Sequence, residues 1–200
     1  MPAGRTHDDP TVSGVILAAG TSSRFGDGNK LLATVDGEPL VRRSVAPLLA
    51  ADLHEIVIVV GHEGEAVREA VADLPVEIVA NGDYAEGQAT SVRRGLAAVD
   101  GAADAALFAL GDMPDVRAET VDRLVEAFAA GAGDPLVAAC DGQRGNPVLF
   151  GRRYFDRLRS VTGDTGGREI IFEAETTALV ETGDPGVLRD IDRRSDLPES

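Results

Sequence analysis

Short apolar runs alternate along the chain with longer segments in which apolar residues recur every three or four positions. The runs at 12–19, 56–60, 76–80, 105–110 and 136–140 are rich in Val, Ile, Leu and Ala and have little polar interruption. They predict strands covered on both faces, because a strand with one wet face would alternate. The segments 40–51, 65–72, 90–99 and 118–129 instead carry helical spacing. Pro39 suits the first turn of its helix, whereas Pro47 should kink or shorten that helix. Strands and helices taking turns predict a three-layer α/β/α domain with a mostly parallel sheet and right-handed crossovers.

After Cys140 the alternation stops. A stretch from Gly142 to Phe150 opens polar and contains Gly and Pro, and 152–158 is helix-like. Residues 163–168 read as a loop before another short helix, and 176–181 as a final strand. Residues 1–11 read as a flexible tail, 12–194 as a single domain and 195–200 as a C-terminal tail. The stretch from Gly183 onward is polar and charged, with no fixed-period repeat or long linker before it.

Charge narrows the possible partners. Thirty-four acidic residues against 19 basic ones leave a formal charge of -15, which opposes nonspecific binding to nucleic acid or anionic membranes. A surface rich in Asp and Glu with few aromatics is suited to high salt. Cys140 is the sole cysteine and reads as an inert core thiol. No apolar stretch approaches the ~18 residues of a membrane span, and the start lacks a signal-peptide pattern, so a cytoplasmic protein is expected.

In a parallel sheet, ligands gather beyond the carboxyl ends of the strands. The first such end is Leu17-Ala18-Ala19-Gly20-Thr21-Ser22-Ser23-Arg24, followed by Lys30, the only lysine in the chain. Small residues let backbone N–H groups approach an anion, although composition alone does not separate such a loop from an ordinary Gly-Ser turn. The spacing is neither a P-loop nor a dinucleotide fingerprint, because Leu31 follows Lys30 and the glycines fall elsewhere. Asp112 stands at the end of another run, between Gly111 and Met113-Pro114. It could cap a turn or hold Mg²⁺ against phosphate oxygens. Asp190-Ile191-Asp192 offers two further carboxylates which, in an extended segment, share one face opposite Ile191. His62 follows a strand, but neither it nor His7 or His54 forms a zinc or triad pattern.

The loop 17–30 together with Gly111-Asp112-Met113-Pro114 resembles the MobA-like nucleotidyltransferases, and more closely the molybdenum cofactor cytidylyltransferases. Asn81, the run from Glu86 to Leu96, Gly145-Asn146-Pro147-Val148 and Gly163-Asp164-Thr165-Gly166-Gly167-Arg168 extend the match in order over roughly 13–193. The resemblance implies a Rossmann-like nucleotidyltransferase fold and transfer of CMP from CTP to the terminal phosphate of molybdopterin or its molybdenum form. Arg24, Lys30 and Asp112 would be catalytic. Leu17, Ala18, Ala19, Gly20, Thr21, Ser22, Asn81, Gly87 and Ser91 would join them around the nucleotide. Asn146, Pro147, Gly163, Asp164, Gly166 and Arg168 would face the acceptor, and Asp112 with Asp192 would hold Mg²⁺ or Mn²⁺. A recipient molybdoenzyme or its maturation factor is a further implied partner. Ala19 is the family's mark of CTP over GTP.

Two departures stand out. The spacing from Gly26 to Lys30 is one residue longer than in many members, which suggests a bulge at Asp27 and Gly28. Arg193-Arg194 follows Asp192 where members have Thr-Pro. The alternatives are a guanylyl- or sugar-phosphate nucleotidyltransferase of the same fold and, in another class, a noncatalytic cofactor carrier.

Overall fold

The computed structural model describes residues 10–26, 28–164 and 166–198. Most of the expected N-terminal tail, Asp27 and Thr165 lie outside the described residues. In chain order, β1 (Val12–Ala18) leads through a loop to the small hairpin β2 (Thr34–Val35) and β3 (Glu38–Pro39). Then come α1 (Leu40–Ala50), β4 (Glu55–Val60), α2 (Gly64–Val71), β5 (Glu77–Ala80), α3 (Gln88–Ala98), β6 (Ala105–Leu110) and α4 (Ala118–Ala129). The last part holds β7 (Leu136–Cys140), β8 (Gln143–Gly151), α5 (Phe155–Ser160), α6 (Arg168–Glu173) and β9 (Ala178–Glu181).

Seven strands form one sheet in the order β5-β4-β1-β6-β8-β7-β9. Only β8 runs against the others: it pairs antiparallel with β6 and β7, while every other pairing in this sheet is parallel. Strand pleating sends alternate residues to opposite faces. Val12, Ile16, Ile58 and Leu107 pack with Val45 of α1, Val67 of α2 and Leu124 of α4. Val15, Val59 and Phe108 pack with Leu96 of α3, Leu158 of α5 and Ile170 of α6. Both faces are therefore dry, which is why the central strands read as apolar runs. This is the Rossmann-like three-layer arrangement.

Several local expectations change. Pro47 is buried inside α1, and the helix ends three residues later at Ala50. Pro39 stands at the N-cap rather than in the first turn. The hairpin β2–β3 and the strand β8 escape a periodicity reading, because β2 and β3 are two residues each and β8 begins with polar residues, Gly and Pro. The polar stretch after Gly183 is not loosely attached. Val187 and Ile191 are fully buried, Ile191 among Phe25, Val35 and Leu40. Asp184, 2 % exposed, accepts from Arg117 N, Thr120 Oγ1 and Gly186 N, tying this stretch to the start of α4. No helix among the described residues is long and apolar enough to cross a membrane.

Candidate active site

The parallel strands β1, β4 and β6 all end on the same side of the sheet, and a cavity of about 460 Å³ opens there. Leu17 through Arg24 line one wall; Tyr84 and Gly87, just before α3, and Gln88 and Ser91, at its start, line another. Lys30, Asp112 and Asp192 close its end.

Asp112 is set by its backbone. Gly111 N extends the β1 ladder to Leu17 O at 3.0 Å, Ser44 Oγ donates to Gly111 O at 2.9 Å, and Ile191 N donates to Asp112 O at 2.9 Å. With Ile191 buried, its two neighbours Asp190 and Asp192 are delivered to Asp112. One oxygen from each of the three carboxylates lies within 4.8 Å of the others. Asp196 holds this turn by accepting from Asp192 N at 3.1 Å and Arg193 N at 2.7 Å.

Lys30 bridges the cluster. Its Nζ lies 2.6 Å from Asp112 Oδ2 and 3.0 Å from Asp192 Oδ1, while Arg24 reaches the other Asp192 oxygen at 2.8 Å. Burial disfavours the Lys30 ammonium, but Asp112 and Asp192 outweigh it and raise its pKa. Burial raises the Asp112 carboxyl above the usual range, with Lys30 pulling against it. Hydrogen bonds from Lys30 and Arg24 lower Asp192. Asp112 Oδ1 is buried without a hydrogen-bond partner among the described residues. Leaving an anionic oxygen so placed is costly unless a cation or donor completes it. Three hard oxygen donors with one orphaned lone-pair set fit a divalent cation such as Mg²⁺ or Mn²⁺.

The loop before Lys30 is locked by Ser22 together with Asn29, which motif reading passed over. Asn29 Oδ1 accepts from Leu31 N at 3.0 Å and from Ser22 Oγ at 3.3 Å, and Asn29 Nδ2 donates to His62 O at 3.1 Å. Lys30 N donates to Ser22 Oγ at 3.1 Å. Ser22, which lines the cavity, thus also fixes the backbone of Lys30. The Asn-x-x-Leu start of a short helical turn was the available signal.

Other expected site residues fall into distinct positions. Asn81 does not reach the cavity: 1 % exposed, it donates to Thr90 Oγ1 at 2.8 Å and Ser91 Oγ at 3.0 Å. Its amide fills its bonding capacity inside the fold, so its place is behind Ser91. A second cavity of about 400 Å³ adjoins the first, sharing Leu17, Gln88, Leu110 and Asp164. Asn146, Asp164 and Arg168 line it, while Pro147, Gly163 and Gly166 do not. Gly163 O accepts from Ala89 N at 3.0 Å, and a Cβ on Gly87 would meet Gly163 O and Asp164 Oδ1 at 2.6 Å. Those glycines bring the 163–168 loop against the start of α3. Arg144, which motif reading left unassigned, also lines the second cavity.

Comparison with known proteins places this geometry in context. A family model described as a MobA-like NTP transferase domain matches residues 14–178. A protein named nicotine blue oxidoreductase from Paenarthrobacter nicotinovorans is 31 % identical over 92 % of this chain and 94 % of that protein. The bifunctional protein GlmU of Burkholderia multivorans is 35 % identical over 84 % of this chain, which spans only 36 % of that longer protein. The crystal structure of Rv0371c from Mycobacterium tuberculosis superposes with a TM-score of 0.82 at 27 % identity, covering 94 % of this chain and 95 % of that one. A complex of Rv0371c with manganese gives 0.77 at 25 % identity, covering 93 % and 95 %. A nucleotidyl transferase from Methanothermobacter, Mth528, gives 0.79 at 26 % identity, covering 93 % and 94 %.

Proposed function

The chain belongs to the MobA-like NTP transferase family, and from that premise we propose that it moves CMP from CTP to the terminal phosphate of a molybdopterin-type acceptor, releasing pyrophosphate. The observation that carries this reading is the orphaned Asp112 Oδ1 among Asp190, Asp192 and Lys30 at the end of a nucleotide-sized cavity. The manganese complex of Rv0371c supports a divalent cation in this fold.

Asp112, Asp190 and Asp192 would hold the cation, which would neutralise phosphate charge when bound. The acceptor phosphate, with a second pKa near ~6, is largely ionised at neutral pH and needs no protein base. What the chain must supply is position and positive charge at the leaving group. Lys30, its backbone held by Ser22 and its side chain already at the carboxylates, exchanges an aspartate for a phosphate oxygen with little motion. Arg24, 72 % exposed at its side chain, closes over the phosphates from the solvent side. The backbone at Ala18 to Ser22 surrounds the nucleotide, the segment around Gly87 and Ser91 faces base and ribose, and Ala19 favours CTP. Asn81 orients Ser91 on the opposite wall.

The test is incubation with molybdopterin and each of the four NTPs in Mg²⁺ or Mn²⁺, with mass analysis of the product. A CMP adduct with stoichiometric pyrophosphate is expected; a GMP adduct would refute the base assignment, and no adduct with any NTP the transfer itself. The name of the P. nicotinovorans relative favours a second reading, an oxidoreductase reaction on nicotine blue. Bleaching of nicotine blue in the presence of a reduced nicotinamide dinucleotide, without pyrophosphate release, would support it.

A further inference from the structure

Two features of the chain are still without a role: the lengthened loop between Gly26 and Lys30, and the Arg193-Arg194 pair that follows Asp192. They meet at Phe25. Its ring is 5 % exposed and clusters with Val35, Leu40 and Ile191, with Leu197 packed against the same cluster. Ile191 and Leu197 bracket a single helical turn, Arg194–Asp196. Asp196 Oδ2 fixes the entry to that turn by accepting from Asp192 N and Arg193 N. The turn sets the Arg194 guanidinium over Phe25, with Cζ 5.4 Å from the ring centroid. A cation so placed is attracted by the ring's quadrupole.

The anchoring of Phe25 bears on its neighbour Arg24. Phe25 N donates to Ser22 O at 2.9 Å, closing the turn that carries Arg24. Beyond Phe25 the backbone passes through Gly26 and Gly28, at φ of 94° and 95°. Glycine takes such conformations without strain but has much backbone freedom to lose, so rigidity must come from elsewhere. Lys30 is secured from the far end of the loop by Ser22 and Asn29. Arg24 is not: its side chain is 72 % exposed and meets Asp192 at 2.8 Å, one of the three carboxylates that would hold the cation. Once Asp192 turns to a metal, the aim of Arg24 depends on its own backbone, and therefore on Phe25. We infer that Arg194 is a positioning residue: seated on Phe25, it clasps the loop to the C-terminal turn and keeps Arg24 directed at the nucleotide phosphates. The inference rests on Arg24 being a phosphate ligand in the proposed transfer. It gives the 191–197 segment a part in substrate binding beyond the supply of metal-site aspartates.

Pyrophosphate binding in Mn²⁺, read by calorimetry, tests how Arg194 acts. Arg194→Ala should weaken binding about two- to fivefold, the range of one exposed cation–ring contact. Arg24→Ala should weaken it more, and adding Arg194→Ala to that variant should cost nothing further, because the clasp reaches the phosphate only through Arg24. Arg194→Lys should recover part of the affinity, whereas Arg194→Gln should not. Without metal or ligand, amide hydrogen exchange at Phe25, followed by NMR, should quicken about two- to fivefold in Arg194→Ala while the amides of β1 and β6 keep their rates. Circular dichroism checks that each variant is folded. Equal losses of pyrophosphate affinity in the wild-type and Arg24→Ala backgrounds would show Arg194 acting as a charge at the cavity mouth and overturn the clasp. Unchanged exchange at Phe25 would overturn it as well. If the wild type binds no pyrophosphate, the transfer reading falls, and faster exchange at Phe25 still upholds the clasp on the loop.

Discussion

Replacing Lys30 with Met removes one cation from between Asp112 and Asp192 and leaves a side chain of similar length. In the native site, the Lys30 side chain is 11 % exposed and its ammonium lies 2.6 and 3.0 Å from the carboxylates of Asp112 and Asp192, whose side chains are 19 % and 36 % exposed. At an effective dielectric of about 20, unit charges ~4 Å apart attract by about 4 kcal/mol. Desolvation of the ammonium offsets part of this, and water screens the share due to Asp192. About 2 kcal/mol of stability should be lost at pH 7.5. The loss should depend on pH. Burial already raises the Asp112 carboxyl above its ordinary range, and without Lys30 the rise should be larger. A carboxyl raised in the native state contributes stability that is full below its unfolded value near ~3.9 and lost as pH rises through the native value. The deficit of Lys30→Met should therefore be small at acid pH and widen towards neutrality. A divalent cation placed among the three carboxylates can replace the missing charge. Urea unfolding in EDTA and in millimolar MnCl₂ provides the assay: Mn²⁺ should restore most of the variant's lost stability and stabilise the wild type less, while nucleotidyl transfer stays at least ~100-fold down. An unchanged midpoint in EDTA, or a variant indifferent to Mn²⁺, would refute the account of Lys30 as the cation that balances this cluster.

Other predictions address the supports of the site. Asn29→Ala should cost about 1–2 kcal/mol, as lost caps do, and lower turnover about tenfold through a misplaced Lys30; urea unfolding and steady-state kinetics measure the two. Gly61→Ala would place a Cβ 2.7 Å from Ala19 Cβ and 2.8 Å from Tyr84 Cβ, so the walls must part. Nucleotide binding, read by calorimetry, should weaken about tenfold, and an unaltered affinity would show that the contact is not tight. Asp184→Ala strips three donors of a buried acceptor. It should destabilise the fold by about 3 kcal/mol in urea while sparing metal affinity per folded molecule.

Much of the architecture is legible in the chain because the hydrophobic effect leaves the clearest record where both faces are covered. The cores of β1, β4, β6 and β7 are uninterrupted apolar runs because α1, α2 and α4 cover one face and α3, α5 and α6 the other. Parallel direction then puts Ala19 and Asp112 on one edge, so a ligand end could be named from residue order alone. By contrast, β8 is antiparallel, and its first residues border a cavity rather than a core. Its polar residues, Gly145 and Pro147 hide it from any periodicity.

Tertiary contacts decide the rest. Nothing local tells whether Asp190 joins Asp192 at Asp112, because that depends on Ile191 finding the pocket of Phe25, Val35 and Leu40. Nothing in Asn81 separates a ligand contact from an internal support until Thr90 and Ser91 come within reach of its amide. Ser22, Asn29 and His62 form one locked loop across 40 residues of chain only because β1 and β4 end side by side. Hydrophobic periodicity records what a residue's own element buries. Pairing of charges and amides across the sheet edge is set by distances that no one-dimensional pattern encodes.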